Sequence, residues 1–215
     1  MGARFRDRVD AGRHLAAALE RLELGDAVVV GLARGGVVVA AEVARRLALP
    51  LDALAVRKVG FPFQPEYGIG AVTPGDGGVY VRSDEGLGET ELRRVVERAQ
   101  AQAEALDRIL HERYPPLELR GRTAVLVDDG LATGATMVAA VRWARSKGAG
   151  HVVVAVPVGA AQSTEALRYE ADAVVCPHEE RRFGAVGFWY DVFTQVENTE
   201  VVALLGELRT PAPAA

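Results

Sequence analysis

Three short runs that are almost wholly apolar, DAVVVGL (26–32), TAVLVDD (123–129) and HVVVAVP (151–157), leave this chain little choice of architecture. They are rich in β-branched valine and lack the apolar–polar alternation of a strand with one wet face. Strands of that kind lie in a parallel sheet covered on both sides. Between them the spacing of apolar residues becomes helical, so the chain reads as strand, turn and crossover helix in repetition. The pattern predicts helices over Asp10–Leu24, Gly35–Leu47, Glu89–Tyr114, Thr136–Lys147 and Ser163–Glu170, with further strands over Asp52–Lys58 and Ala173–Cys176. In the first helix Leu15, Leu19 and Leu22 share a face and Asp10 is the expected N-cap. The fold class that follows is α/β, a mostly parallel central sheet with helices on both faces.

Two segments break the rhythm. Residues 59–88 are rich in glycine and proline and carry a hairpin signal, TPGDGG, between AV and VYV. Residues 177–198 are aromatic and irregular, with the run FGAVGFWYDVF. Loops of this length within one domain are usually lids or binding loops. The tail TPAPAA is expected to fray. A length of 215 residues suits a single domain, with its core at about 26–176.

Composition removes several classes of function. Hydrophobic residues at 49% and charged residues at 25% belong to a folded chain. The net charge of −4 argues against a nucleic-acid or membrane-surface binder. No apolar run is long enough to span a bilayer, and MGARFRDRVD is not followed by the apolar stretch of a secretory signal. Cys176 is the only cysteine, which excludes an internal disulfide and a cysteine-cluster metal site. A cytoplasmic setting is expected.

The chemistry is concentrated in VLVDDGLATGAT, Val125–Thr136. Its strand delivers Asp128 and Asp129 to the carboxyl edge of the sheet, where open α/β sheets bind ligands. Gly130, Leu131, Ala132, Thr133, Gly134, Ala135 and Thr136 then lead into a helix. Small side chains let backbone N–H groups close around an anion, and the helix N-terminus adds its dipole. Thr133 and Thr136 can donate hydroxyl hydrogen bonds to the same phosphate, and the paired carboxylates suit two vicinal hydroxyls. Sugar diol beside sugar phosphate is the ligand so described; the plainer alternative is a strand-to-helix turn with two solvated aspartates. GxxxxGK[ST] is absent, and GLARGG does not fit GxGxxG.

VLVDDGLATGAT resembles the phosphoribosyl pyrophosphate (PRPP) signature of type I phosphoribosyltransferases, and the strand–helix order from Asp26 to Cys176 is similar to the core of that family. The resemblance implies that GLARGG (31–36) is a pyrophosphate loop with a tight, often cis, turn at Ala33–Arg34, involving Ala33, Arg34 and Gly35. It implies that AVRKVG brings Lys58 and Arg57 to pyrophosphate. Arg34, Lys58, Asp128 and Asp129 would then be the catalytic set, with Mg²⁺ held through PRPP and by Asp128 and Asp129. A flexible lid would lie within Phe61–Asp84, and an acceptor-binding hood at about 177–200, joined by the N-terminal helix. Phe188, Trp189 and Tyr190 are the candidate acceptor contacts, since one of three consecutive aromatics can stack on a planar base.

The implied activity is transfer of the 5-phosphoribosyl group from PRPP to a nitrogenous base with release of pyrophosphate, by a homodimer. The stretch KVGFPFQPEYGIGAV departs from the adenine, hypoxanthine–guanine, uracil and orotate enzymes, so the likeness is to members without an assigned acceptor. A PRPP- or nucleotide-binding regulator, or a binding module without transferase activity, is the alternative. Cys176, Trp143, His14, His111, His151 and His178 read as structural residues.

Overall fold

The computed structural model describes residues 5–61, 64–81 and 87–209. In chain order it runs α1 (Arg8–Leu19), β1 (Ala27–Ala33), α2 (Gly35–Leu47), β2 (Leu51–Ala55), β3 (Arg57–Phe61), β4 (Gln64–Val72) and β5 (Val79–Val81). It continues through α3 (Glu89–His111), β6 (Thr123–Val127), α4 (Ala135–Ser146), β7 (His151–Ala155), β8 (Val158–Ala160), α5 (Ala161–Leu167), β9 (Ala173–Val175), β10 (His178–Glu180) and α6 (Asn198–Leu208). Five strands form the expected parallel sheet in the order β2–β1–β6–β7–β9. Alternate residues of each valine run enter different cores. Val29, Val125, Val127 and Val153 pack with α1, α2 and α6 on one face. Val28, Val30, Leu126 and Val154 pack with α4 on the other.

The sheet order puts β1 beside β6, while α2 and α4 leave those two strands on opposite faces. The chain leaving their carboxyl ends therefore turns to opposite faces, a topological switch point and the crevice in which such sheets bind ligands.

The structure departs from the sequence reading in several places, α3 ending at His111 and α5 spanning Ala161–Leu167 among them. The first helix is capped by Asp7, whose side chain accepts from the amide of Asp10, and it stops at Leu19, leaving Leu22 exposed. The strand expected over Asp52–Lys58 is two strands: after Val56 the chain leaves the parallel sheet, and Arg57 and Lys58 belong to β3. The glycine-rich insertion contains the expected hairpin, closed by Thr73 N donating to Gly78 O, with Gly75 at φ +70. It is more regular than a lid loop, because β3, β4 and β5 form an antiparallel sheet whose Val59, Ile69 and Val72 pack against Ala99 of α3. The parts of the proposed lid at 62–63 and 82–84 lie outside the described residues, as does the tail TPAPAA. Last, α6 is a helix that the sequence reading does not contain; its Val201 and Leu205 bury in the α2 core.

The aromatic segment folds with the N-terminus. Phe5 N donates to Trp189 O and Asp191 N to Phe5 O, both at 2.8 Å. Phe5, Phe183 and Tyr190 bury with Ala11 of α1 and Val158 of β8, while β10 pairs with β8. Among the described residues no helix is long and apolar enough to cross a membrane.

Candidate functional site

Two loops meet at the switch point: Arg34–Gly36 after β1 and Asp128–Gly134 after β6. Glycine makes their contact possible. A Cβ at Gly35 would collide with Asp129 Oδ2 and Arg8 Nε, and one at Gly36 would stand 2.7 Å from Val127 O and 2.9 Å from Asp128 Oδ1. The first turn of α2 thus lies directly on the acidic pair. The Ala33–Arg34 peptide is cis.

Asp129 N donates to Asp128 Oδ1 at 2.9 Å, which turns the first carboxylate back over the loop. Asp129 Oδ2 accepts from Arg8 Nε at 2.7 Å, and its backbone carbonyl accepts from the Tyr190 hydroxyl at 2.5 Å. Burial pushes the Asp128 carboxyl well above the usual carboxylate range, and the charge of Asp129 adds to the shift. Burial also raises Asp129, against the opposing pull of Arg8 and Lys58. Two carboxyls side by side in one crevice are thus stabilised by any cation or hydroxyl donor that reaches them.

Cations face them from several elements. Lys58, exposed on β3, lies near enough to favour the charged forms of both carboxyls. Arg57 has its pKa lowered by burial and by the neighbouring charge of Arg34. Arg34 itself has an acidic partner 3.8 Å away, Glu197 Oε2. Arg34, Arg57 and Lys58 therefore gather at one end of the crevice on a chain whose overall charge is negative, an arrangement that suits a polyanion.

At the other end, Gly130–Gly134 runs beside β8: Leu131 N donates to Val158 O, and Ala160 N donates to Leu131 O. Ser163 Oγ holds Ala132 O at 2.6 Å. Gly134, at φ +79, caps α4 without a side-chain hydrogen bond, so the first-turn amides of Ala135 and Thr136 point into the loop. Gly130 is pressed against the Val186 side chain of the hood, where a Cβ would stand 2.6 Å from Val186 Cγ1.

The three hood aromatics divide. Tyr190, 2% exposed, is enclosed by Phe5 and Phe193 with its hydroxyl engaged, so it is a core residue of the hood and is not presented to a ligand. Trp189 stacks on Phe183, whereas Phe188 is 74% exposed. Burial pushes the Cys176 thiol up to about 12. Trp143 is buried in the α4 core.

Sequence reasoning missed Arg8. Its Nη1 donates to Thr194 O at 2.7 Å and its guanidinium lies 3.9 Å over the Phe193 ring. With arginine supplying nearly all the basic residues and 121 positions separating Arg8 from Asp129, no local signal marked it.

Residues 82–191, just over half of the chain, match the family described as phosphoribosyl transferase domain. A protein of Mycobacterium tuberculosis (strain H37Rv) named "Putative phosphoribosyl transferase" is 47% identical over 210 residues, covering 94% of this chain and 46% of its own length. Its counterpart in strain CDC 1551 matches to the same extent. The chain therefore spans about half the length of the curated relatives it matches. The crystal structure of TT1426 from Thermus thermophilus is 42% identical, superposes with a TM-score of 0.81, and is matched over 95% of this chain and 99% of that one.

Proposed function

The chain belongs to the phosphoribosyl transferase domain family, and on that premise we propose that it moves the 5-phosphoribosyl group from PRPP to a nitrogenous base, releasing pyrophosphate. The observation that carries this reading is the meeting of a carboxylate pair, a cation cluster and an uncapped helix N-terminus in one crevice. The cations suit pyrophosphate, the carboxylates the ribose hydroxyls and the helix N-terminus the 5′-phosphate, which is the order of these groups along PRPP.

On this reading Asp128 and Asp129 accept the ribose hydroxyls. Gly130–Thr136 holds the 5′-phosphate through backbone amides and the hydroxyls of Thr133 and Thr136. Ala33, Arg34, Gly35, Arg57 and Lys58 take the pyrophosphate, and the cations among them stabilise the charge that grows as the C1–O bond breaks. Positioning supplies much of the remaining acceleration. The donor set fits Mg²⁺: Asp128 and Asp129 offer hard oxygen ligands, and among the described residues no group of three His, Cys, Asp or Glu forms a cage, so substrate oxygens would complete the shell. When bound, the ion supplies charge neutralisation for the pyrophosphate. Phe188 and the open side of Trp189 form the available wall for a planar acceptor. Residues 1–215 act as one domain, in the cytoplasm, and the insertion of β3–β5 carries whatever lid shields C1 from water.

Pyrophosphate release from PRPP and Mg²⁺, measured across purines, pyrimidines and small heterocyclic amines, tests the proposal together with calorimetry of PRPP binding. Base-dependent release is expected. Tight binding with no base-dependent release would replace the transferase by a sensor or binding module, and no PRPP binding would refute the site assignment.

A further inference from the structure

We propose that Arg8 is a positioning residue for the ribose-binding carboxylate: it fixes one oxygen of Asp129 and, through the same guanidinium, fastens the hood to the floor of the site. The inference rests on the PRPP reading above.

Three contacts converge on this side chain, which is only 11% exposed. Nε donates to Asp129 Oδ2 at 2.7 Å, Nη1 donates to Thr194 O at 2.7 Å, and the guanidinium plane covers Phe193 at 3.9 Å. The first belongs to the floor of the crevice and the other two to the segment following the hood aromatics. A planar fork can meet a carboxylate, a carbonyl and a ring together; an ammonium cannot. The second tie between the same parts, Tyr190 OH to Asp129 O, grips the backbone of Asp129 but leaves its carboxylate free to rotate. Arg8 therefore decides where that carboxylate points. With Oδ2 held, Oδ1 is the oxygen left for a ribose hydroxyl. Gly35 supplies the space, since a Cβ there would collide with Asp129 Oδ2 and crowd Arg8 Nε.

The placement of Arg8 depends on the N-terminal segment. Phe5 pairs with Trp189 and Asp191 just before the arginine, and the Asp7 side chain, accepting from Asp10 N, caps α1 across it. This part of the chain precedes the residues that match the family, 82–191.

The test compares wild type, Arg8→Met and Arg8→Lys by titration calorimetry with three probes: PRPP, ribose 5-phosphate and inorganic pyrophosphate. For Arg8→Met, affinity for PRPP and for ribose 5-phosphate should fall about 10- to 100-fold, the range of a charge-assisted hydrogen bond lost from a partly dry site. Pyrophosphate has no ribose, and its binding should stay within about twofold of wild type. Arg8→Lys should recover part of the loss, since it keeps the charge but not the fork. If wild type fails to bind PRPP and ribose 5-phosphate, the site assignment falls and this inference with it. If wild type binds them and both variants bind all probes equally well, only the role of Arg8 is overturned. Equal losses for all three probes, pyrophosphate included, would make Arg8 merely structural and would also overturn it. Arg8→Lys keeps the test decisive should Arg8→Met fold poorly.

Discussion

Asp128 and Asp129 are held at a cost. Burial raises both pKa values and each charge opposes the other, so the ionised pair weakens the fold at neutral pH, a loss only partly relieved by Arg8 and Lys58. The double substitution Asp128→Asn, Asp129→Asn should abolish PRPP binding by calorimetry while thermal unfolding stays at or above the wild-type midpoint, because neutral amides remove the repulsion. Retained PRPP binding would show that the carboxylates do not hold the ribose. Gly35 gives a second prediction at this scale. In Gly35→Ala the new methyl takes the space of Asp129 Oδ2, so the carboxylate must turn away. PRPP affinity should fall about tenfold or more, as for a lost hydrogen bond to a charged group, with circular dichroism unchanged. Wild-type affinity would mean that the carboxylate can occupy another position without consequence.

Elements are tied together away from the site by a second buried carboxylate. Asp52, 2% exposed on β2, accepts from Leu117 N at 2.7 Å and from Arg209 Nη1 at 3.3 Å, and lies 3.1 Å from His111 Nε2. His111 Nδ1 is 3.0 Å from Asp107. The cluster joins β2 to the ends of α3 and α6 and to the loop before β6. Burial opposes protonation of His111, but hydrogen bonds to Asp107 and Asp52 outweigh it and raise its pKa to about 9. The folded protein thus binds this proton more tightly than the unfolded chain. Its contribution is complete below about pH 6.5, the unfolded value, and is lost as pH rises through about 9. Urea unfolding between those limits should show stability falling with pH in wild type and a flatter profile in His111→Gln, which should lose roughly 1–3 kcal/mol at pH 6 for an unmet buried acceptor. Parallel profiles would remove His111 from this role.

For the whole molecule, the charge distribution matters more than the total. A net −4 chain collects Arg34, Arg57 and Lys58 beside two aspartates in one crevice, so the local field at that end favours a polyanion that the rest of the surface repels. The other whole-molecule expectation is assembly. Ile109 of α3 and Val192 and Phe193 beyond the hood aromatics are exposed apolar groups, of the kind that an interface covers. Sedimentation equilibrium should give the mass of two chains; a monomer at all concentrations would refute the dimer.

Period and punctuation alone determined the parallel sheet, because valine runs too short for helices can be buried only between two helical layers. The acidic pair and its glycine-rich turn were legible for a related reason: their chemistry is local, and twelve consecutive residues carry it. The split at Val56 was not legible, since a strand leaving one sheet for another keeps the same extended backbone and changes only its partner. Helix α6 was missed because its apolar face is short and gains its meaning only when α2 covers Val201 and Leu205. Tyr190 and Arg8 belong to tertiary structure entirely. A tyrosine in an aromatic loop and one arginine among many acquire their partners only when the N-terminus folds across a strand more than a hundred residues away. Sequence encodes what neighbours along the chain can do by themselves; contacts between distant segments depend on how the sheet is ordered.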